Sequence, residues 1–350
     1  MADALLSAVI TCYKDAQAIP EMHARLTGVF RDLSVEYEII FVNDGSPDDA
    51  DLVLEALTAK DDHVIAIEHS RNFGSQSAFL SGMQIARGEA VILLDGDLQD
   101  PPELIAAFFS EWQKGSDVVY GRRREREGPL LLTHCYRLFY RLFRHLSSVS
   151  MPLDAGDFAL MDRKVVRELL LLPETDQFLR GLRAWVGFKQ TGVDYVRPKR
   201  RFGRSTHSWF GNVWWAKKGI FSFTFVPIAA LGYLSLSLTA LSSLALLYQG
   251  VELLRHPARP LGLGTLVVVV AFFGSLNLLA IATLGEYLIK IFEETKARPK
   301  FIRKAIRHGH ERFAAGAGLE AFLRQRTPRL TPSSPSSSPR DPNARDGNAA

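Results

Sequence analysis

The chain has 350 residues, 47% of them hydrophobic and 23% charged, with a formal net charge of +4. That length suits one or two domains. Its two cysteines, Cys12 and Cys135, indicate neither a disulfide framework nor a metal site. The averages hide a partition: sequence of soluble α/β character up to about Lys218, a mostly apolar stretch from Gly219 to Leu284, then a basic and finally low-complexity end. The opening MADALLSAVITCYKD lacks a basic start, and its apolar run breaks at Lys14 and Asp15. No secretory signal is therefore expected there, and the N-terminal part is expected to stay in the cytoplasm.

In chain order, LLSAVITCY (5–13) predicts a buried strand, and a helical pattern follows from about Ile19 to Leu33. YEIIFVNDGS (37–46) reads as a second strand ending on Asn43, Asp44 and Gly45, followed by a helix over about Asp48 to Ala59. HVIAIEHS (63–70) is a third strand. SQSAFLSGMQIARG (75–88) is a helix with Gly88 as its C-terminal glycine. EAVILLDGD (89–97) is a fourth strand, and SDVVYG (116–121) a fifth after a helix over about Pro102 to Lys114. Alternation at this spacing predicts an α/β fold with a mostly parallel sheet. Such sheets bind ligands beyond the carboxyl ends of their strands, so Asp44 and the pair Asp95/Asp97 are expected to open into one crevice. A glycine-rich dinucleotide fingerprint is missing after the first strand.

Past Arg122, Arg123, Arg124 and Arg126, residues 129–149 place Leu132, Tyr136, Phe139, Tyr140 and Phe143 at helical spacing with arginines between them. This is the pattern of a basic amphipathic helix at a membrane surface. A second surface segment, about 207–220, carries Trp209, Trp214 and Trp215, which suit an interfacial belt. Gly219–Val251 and Pro260–Gly285 contain no charged side chain. Each exceeds the ~20 residues a spanning helix needs, so two transmembrane helices are expected at about 224–248 and 262–284. Lys217, Lys218, Lys290, Lys296, Arg298, Lys300, Arg303 and Lys304 flank them, which puts both flanks and the globular part in the cytoplasm. The expected organisation is thus a globular domain to residue 218, the hairpin over 219–288, a basic segment over 289–325 and a disordered Ser/Pro-rich tail over 326–350. With its basic patches held at a bilayer, the chain is not expected to bind nucleic acid.

The most informative stretch is LLDGDLQDPPE (93–103). Oxygen donors at a strand end suit a hard cation, Mg²⁺ or Mn²⁺, that shares its other sites with substrate phosphates. A tight turn at Gly96 would bring Asp95 and Asp97 to one ligand. Asp100 has no assigned part beyond an N-cap for the next helix.

DGDLQDPPE resembles the metal-binding segment of inverting family 2 glycosyltransferases of the GT-A fold, and more narrowly that of the polyprenyl-phosphate group, the bactoprenol glucosyltransferases and dolichol-phosphate mannose synthases. VNDGSPD (42–48), HSRNFGSQSAFLSGMQIARG (69–88), GDFALMDRKVV (156–166), RPKRRFGRS (197–205) and GEYLIKIFEETKARPKFI (285–302) resemble further segments of that group. The resemblance implies a nucleotide-sugar donor, with UDP-sugars favoured, and a polyprenyl phosphate acceptor such as undecaprenyl phosphate at the bacterial inner membrane. It implies donor contacts from Tyr13, Asp15, Asp44, Ser46, Asp95 and Asp97, and metal ligation by Asp97 and Gln99 with Asp95 beside them. Acceptor phosphate would be held by Arg123, Arg126, Arg197, Arg200 and Ser205, and Asp157 matches the family's proposed base. Some relatives form tetramers through the hairpin region.

Lys14, Asp15, Ser75, Thr206 and His207 depart from residues common in the group and leave the sugar and base open. His69, His134 and His207 show no ligand spacing and read as structural. An acceptor phosphate is largely ionised near neutral pH, since its second pKa is ~6, so Asp157 is expected chiefly to orient a substrate. Two rivals share parts of the pattern. A processive polysaccharide synthase would carry Gln-x-x-Arg-Trp, but here Gln177-Phe178-Leu179-Arg180 is followed by Gly181. A non-catalytic nucleotide-sugar scaffold would not need the full set of acids.

Overall fold

The computed structural model describes residues 4–123, 155–175, 178–197, 226–255 and 263–326. Four strands, β1 (Leu5–Cys12), β2 (Glu36–Asn43), β3 (Val64–His69) and β4 (Ala90–Asp95), pair in parallel in the order β3-β2-β1-β4. Helices α1 (Ile19–Leu33), α2 (Ala50–Thr58) and α3 (Ser75–Ile85) connect them. α4 (Ile105–Gln113) leads to β5 (Val118–Arg123).

The sheet is mixed rather than mostly parallel. β6 (Ala155–Asp162) inserts between β4 and β5 and runs antiparallel to both, while β7 (Gln190–Tyr195) pairs parallel to β5 at one edge. Between β6 and β7 lie α5 (Arg163–Leu171) and α6 (Leu179–Trp185). The full order, including two later strands, is β7-β5-β6-β4-β1-β2-β3-β8-β9.

The period-2 alternation of the strands supplies two apolar faces. Leu6, Ala8, Ile10, Ile39 and Phe41 pack with Met22, Leu26 and Phe30 of α1 and Phe108 of α4. Val9, Ile40, Val42, Ile65 and Ile67 face the other way, onto Phe79 and Met83 of α3 and Val165, Val166 and Leu169 of α5. Each fully buried side chain of this size contributes about 1.5–3 kcal/mol. Gly88 is not the cap of α3. That helix stops at Ile85, and Gly88 lies against β1, where a Cβ would meet the Ser7 nitrogen at 2.5 Å.

Two long helices follow, α7 (Val226–Arg255) and α8 (Leu263–Thr295). Among the described residues one stretch, the 24 residues Phe272–Thr295, is long and apolar enough to cross a membrane, and none of it is buried in the protein. α8 continues well beyond Leu284, where the apolar run ends. The surface helices expected over 129–149 and 207–220, and the tail beyond Arg326, lie outside the described residues.

The basic segment beyond α8 returns to the globular domain. β8 (Arg303–His308) pairs antiparallel with β3, β9 (Glu311–Ala314) pairs with β8, and α9 (Ala317–Arg326) follows. Its charges have buried partners. Arg326 donates to Glu38 at 2.6 Å, Arg312 donates to Glu68 at 3.0 Å, and Lys304 also bonds Glu68. Burial alone would raise the Glu68 pKa, but the hydrogen bonds and charges of Lys304 and Arg312 outweigh it and hold the carboxyl below its ordinary value. A depressed carboxylate stabilises the fold above its unfolded pKa of about 4.3, and that contribution is lost as pH falls through the folded value. Amide exchange in β8 and β9 is therefore expected to accelerate below about pH 4, ahead of β1 and β2. Mass-spectrometric hydrogen exchange across that range checks it; uniform protection of all four strands would oppose it.

Candidate active site

The carboxyl ends of β1, β2, β4, β5 and β7 and the amino end of antiparallel β6 meet at one edge of the sheet. Continuing the β4/β6 register, in which Leu93 faces Ala159, brings Asp157 opposite Asp95. Topology thus gathers Asp95, Asp97, Asp100 and Asp157 into one crevice from two distant stretches of chain.

Gly96 opens the turn that follows β4. Its amide donates to the Thr11 carbonyl at 2.9 Å, and a Cβ would lie 2.7 Å from that oxygen, so glycine is required by close approach. The left-handed residue is Leu98, at φ 58°, with its side chain buried. This turn lets Asp97 accept the Gln99 amide at 3.0 Å. Asp95 accepts from Thr11 at 3.4 Å. Burial, then the charges of Asp100, Asp157 and Asp97, push Asp95 up to about 7 against the opposing effect of Arg197.

Asp100 is not an N-cap. It is 1% exposed and accepts the Tyr195 hydroxyl at 2.5 Å. Arg197 approaches it at 3.6 Å and Asp97 at 3.9 Å, and Arg123 lies 4.0 Å from Asp100. Arg123 also donates to the Tyr195 oxygen at 3.3 Å. Two of the arginines assigned to phosphate therefore stand beside the acid cluster. Arg126, Arg200 and Ser205 lie outside the described residues.

Asp157 sits in a tight frame. Arg180 donates to both of its oxygens at 3.0 Å, and Gln76 of α3 donates at 3.1 Å. Gln76 in turn accepts the Leu179 amide at 2.9 Å, joining α3 to α6. Burial would raise the Asp157 pKa. The charge and hydrogen bonds of Arg180, the charge of Arg183 and the Gln76 bond outweigh it and hold the carboxyl below its usual value.

Across the crevice, β1 ends in the loop of Tyr13 and Asp15. The Lys14 amide donates to Ser46 at 2.7 Å, and Ser46 bonds Asp48 at 2.5 Å. Asp44 accepts from His69 Nδ1 at 2.8 Å, the Phe73 amide at 2.9 Å and the Gly74 amide at 2.8 Å. Gly45 has φ +64°, and a Cβ there would come within 2.4 Å of the Arg71 carbonyl carbon. Gly45→Ala is therefore expected to cost at least about 2 kcal/mol through backbone strain and clash. A thermal midpoint within a degree of wild type would contradict this.

Gln76, Arg180, Asp100, Tyr195 and His69 are the site residues that sequence reasoning missed or set aside. Arg180 carried a signal, as the arginine of an incomplete Gln-x-x-Arg-Trp match. The others are joined to the site by contacts of 25 to 95 residues' separation.

Carboxylate and amide oxygens are donors that suit a hard divalent cation. Among the described residues no group of three or more His, Cys, Asp or Glu side chains is placed to hold a metal ion. Asp95, Asp97 and Gln99, the ligands expected from the sequence, lie within five positions of one another at the end of β4. Burial and then like-charge crowding raise Asp95, and an added cation would relieve the second of these.

The model of glycosyl transferase family 2 matches residues 7–170. An uncharacterized glycosyltransferase of Synechocystis sp. is 37% identical over 302 residues, covering 85% of this chain and 94% of that protein. The SfII prophage-derived bactoprenol glucosyl transferase of Shigella flexneri is 35% identical, covering 87% and 99%. The prophage bactoprenol glucosyl transferase homolog of Escherichia coli K12 is 33% identical, covering 86% and 99%.

Proposed function

The chain belongs to glycosyl transferase family 2, in the group of the bactoprenol glucosyl transferases, and from that premise we propose that it moves a sugar from a nucleotide diphosphate to a polyprenyl phosphate. The convergence of Asp95, Asp97 and Asp157 with Arg123, Arg180 and Arg197 at one sheet edge carries this reading. It places groups suited to a diphosphate beside cations suited to a second phosphate.

In the proposed reaction an acceptor phosphate oxygen attacks the anomeric carbon from the face opposite the diphosphate. The new carbon–oxygen bond forms as the old one breaks, the configuration inverts, and the electron pair leaves on the nucleoside diphosphate. Mg²⁺ or Mn²⁺ held by Asp97 and Gln99, with Asp95 beside them, would neutralise charge on that leaving group. Arg123 and Arg197 grip phosphate oxygens by paired hydrogen bonds. The attacking phosphate is already ionised at neutral pH, its second pKa being ~6, and Asp157 has a depressed pKa. We therefore assign Asp157 to orienting the sugar or acceptor rather than to proton removal.

The Asp44 lone pairs favour a uracil donor. A carboxylate offers about four acceptor sites, and three are taken by His69, Phe73 and Gly74. The remaining site on Oδ2 suits one N–H, as uracil presents, better than the adjacent pair of guanine. Tyr13, Asp15 and Ser46 would line the same side.

α7 and α8 are proposed to form a membrane hairpin with the globular domain and both chain ends on the cytoplasmic side. Support comes from the exposed Leu236, Leu244 and Leu247 of α7 and Leu278, Leu279 and Ile281 of α8, and from the positive charges of the flanks. Undecaprenyl phosphate is the proposed acceptor, and assembly as a tetramer through the hairpin belongs to the same reading.

The test is a donor screen in membranes supplied with undecaprenyl phosphate, read by mass spectrometry of the lipid. One sugar added through a phosphodiester, from a UDP donor and only with Mg²⁺ or Mn²⁺, is expected. A polymeric product would favour a processive synthase. Nucleotide binding without any lipid product would favour a scaffold.

A further inference from the structure

The chain after α8 does more than close the sheet. Glu294, in the last turn of α8, accepts the Thr175 amide at 2.8 Å, and Lys300 donates to the Leu172 carbonyl at 2.8 Å, so the end of the helix is moored beside α5. The Ile302 carbonyl then accepts the Ser70 amide at 3.0 Å. Between these ties, Phe301 lies flat on His69, with ring centroids 5.5 Å apart and planes 4° from parallel. Phe73 meets the same imidazole edge-on at 5.7 Å. The Arg303 guanidinium lies over the Phe301 ring at 4.7 Å from its centroid, and is itself fixed on α3 by bonds to Ser81 and Gln84.

His69 is fully enclosed by this stack, its side chain 0% exposed. Asp44 Oδ1 accepts from both His69 Nδ1 and the Phe73 amide. As a carboxylate Asp44 can only accept, so Nδ1 carries the proton. Among the described residues Nε2 has no hydrogen-bond partner. The Asp44 bond and the flanking rings therefore set the ring's orientation, and that orientation, together with the Phe73 and Gly74 amides, sets the direction of the free lone pair on Asp44.

We propose that Phe301 is a positioning residue for the donor: by stacking on His69 it fixes the imidazole that aims Asp44 at the nucleobase. The strand entered from the second long helix thereby forms the outer wall of the donor site. The inference rests on the reading that Asp44 faces the base, and it adds a residue from the far end of the chain to that pocket.

The test uses the full chain in detergent micelles, with UDP and MgCl₂ as the probe in calorimetric titration, and with donor KM and kcat measured in parallel. Phe301→Ala is expected to weaken UDP binding and raise donor KM by about fivefold to tenfold, the size of one oriented hydrogen bond. At saturating donor kcat should stay within about twofold, and Phe301→Tyr should restore affinity. In an Asp44→Asn background Phe301→Ala should have no further effect, since it acts through that carboxylate. Lys304→Ala loosens the same strand at Glu68 without touching the stack and should leave UDP affinity unchanged.

An unchanged affinity in Phe301→Ala overturns the proposal. So does an equal loss in Lys304→Ala, or full additivity with Asp44→Asn, because each assigns the effect to general loosening. If wild type binds no UDP, the reading of Asp44 as the base contact fails and the proposal falls with it. If wild type binds and only the Phe301 series is silent, the reading stands and this proposal alone is lost.

Discussion

Asp97→Asn is expected to lower sugar transfer by about a thousandfold or more, which corresponds to about 4 kcal/mol of lost transition-state stabilisation. The substitution is close to isosteric, and the asparagine Oδ1 can still accept the Gln99 amide that Asp97 accepts at 3.0 Å. The turn at Leu98 should therefore survive, and the loss should be chemical rather than structural. Removing one negative charge would weaken the hold on the proposed cation, whose charge would offset that of the departing diphosphate, a contribution of several kcal/mol. Measurements of kcat/KM in vesicles, with Mn²⁺ affinity by electron paramagnetic resonance, separate the two effects. Activity within tenfold of wild type at unchanged Mn²⁺ affinity would remove Asp97 from the metal site.

Arg180→Met is expected to reduce transfer by about a hundredfold and to make the loss depend on pH. The pair it breaks is asymmetric: the Asp157 side chain is 8% exposed and that of Arg180 is 37% exposed. Solvent screening on the arginine side brings the cost below that of a fully buried pair, to roughly 1–3 kcal/mol. In wild type the Asp157 pKa is depressed, so the group stays ionised throughout the neutral range. Its contribution is lost only as pH falls through the depressed value. Without Arg180 the effect of burial is less opposed, the pKa rises, and the loss moves up toward neutrality. Between pH 8 and pH 6 the variant should therefore lose more activity than wild type, whose own decline follows only protonation of the acceptor phosphate, second pKa ~6. Asp157→Asn should be equally impaired at both pH values if the carboxylate orients a substrate. Recovery of Asp157→Asn near pH 9 would identify it as a proton acceptor instead.

The first half of this fold was legible because its contacts are local in pattern. β1 to β4 are short runs dominated by apolar residues, many of them β-branched, and α1 between the first two keeps a helical apolar repeat in Met22, Leu26, Val29 and Phe30. β6 was not legible as a strand. Its sequence AGDFALMD opens on glycine and aspartate, and its antiparallel insertion depends on pairing with strands on both sides that no local pattern reveals. β8 was hidden by its own charges. RKAIRH reads as a basic tail until Glu68 is seen to be the partner of Lys304 and Arg312. The acids of the site were visible because they crowd a strand end. The groups that tune them were not, since Arg180 and Gln76 reach Asp157 from two other helices.

The strand order carries a consequence for any attempt to separate the globular part from its helices. The chain leaves the sheet at the β7 edge and re-enters at β8, across seven strand spacings. At about 4.8 Å each, that is a gap of roughly 34 Å. Cutting after Arg197 would strip β3 of its neighbour and leave an apolar, fully buried strand as a naked edge, a template for aggregation. A soluble form needs both pieces, with a polar tether of at least about a dozen residues across the sheet in place of the helices.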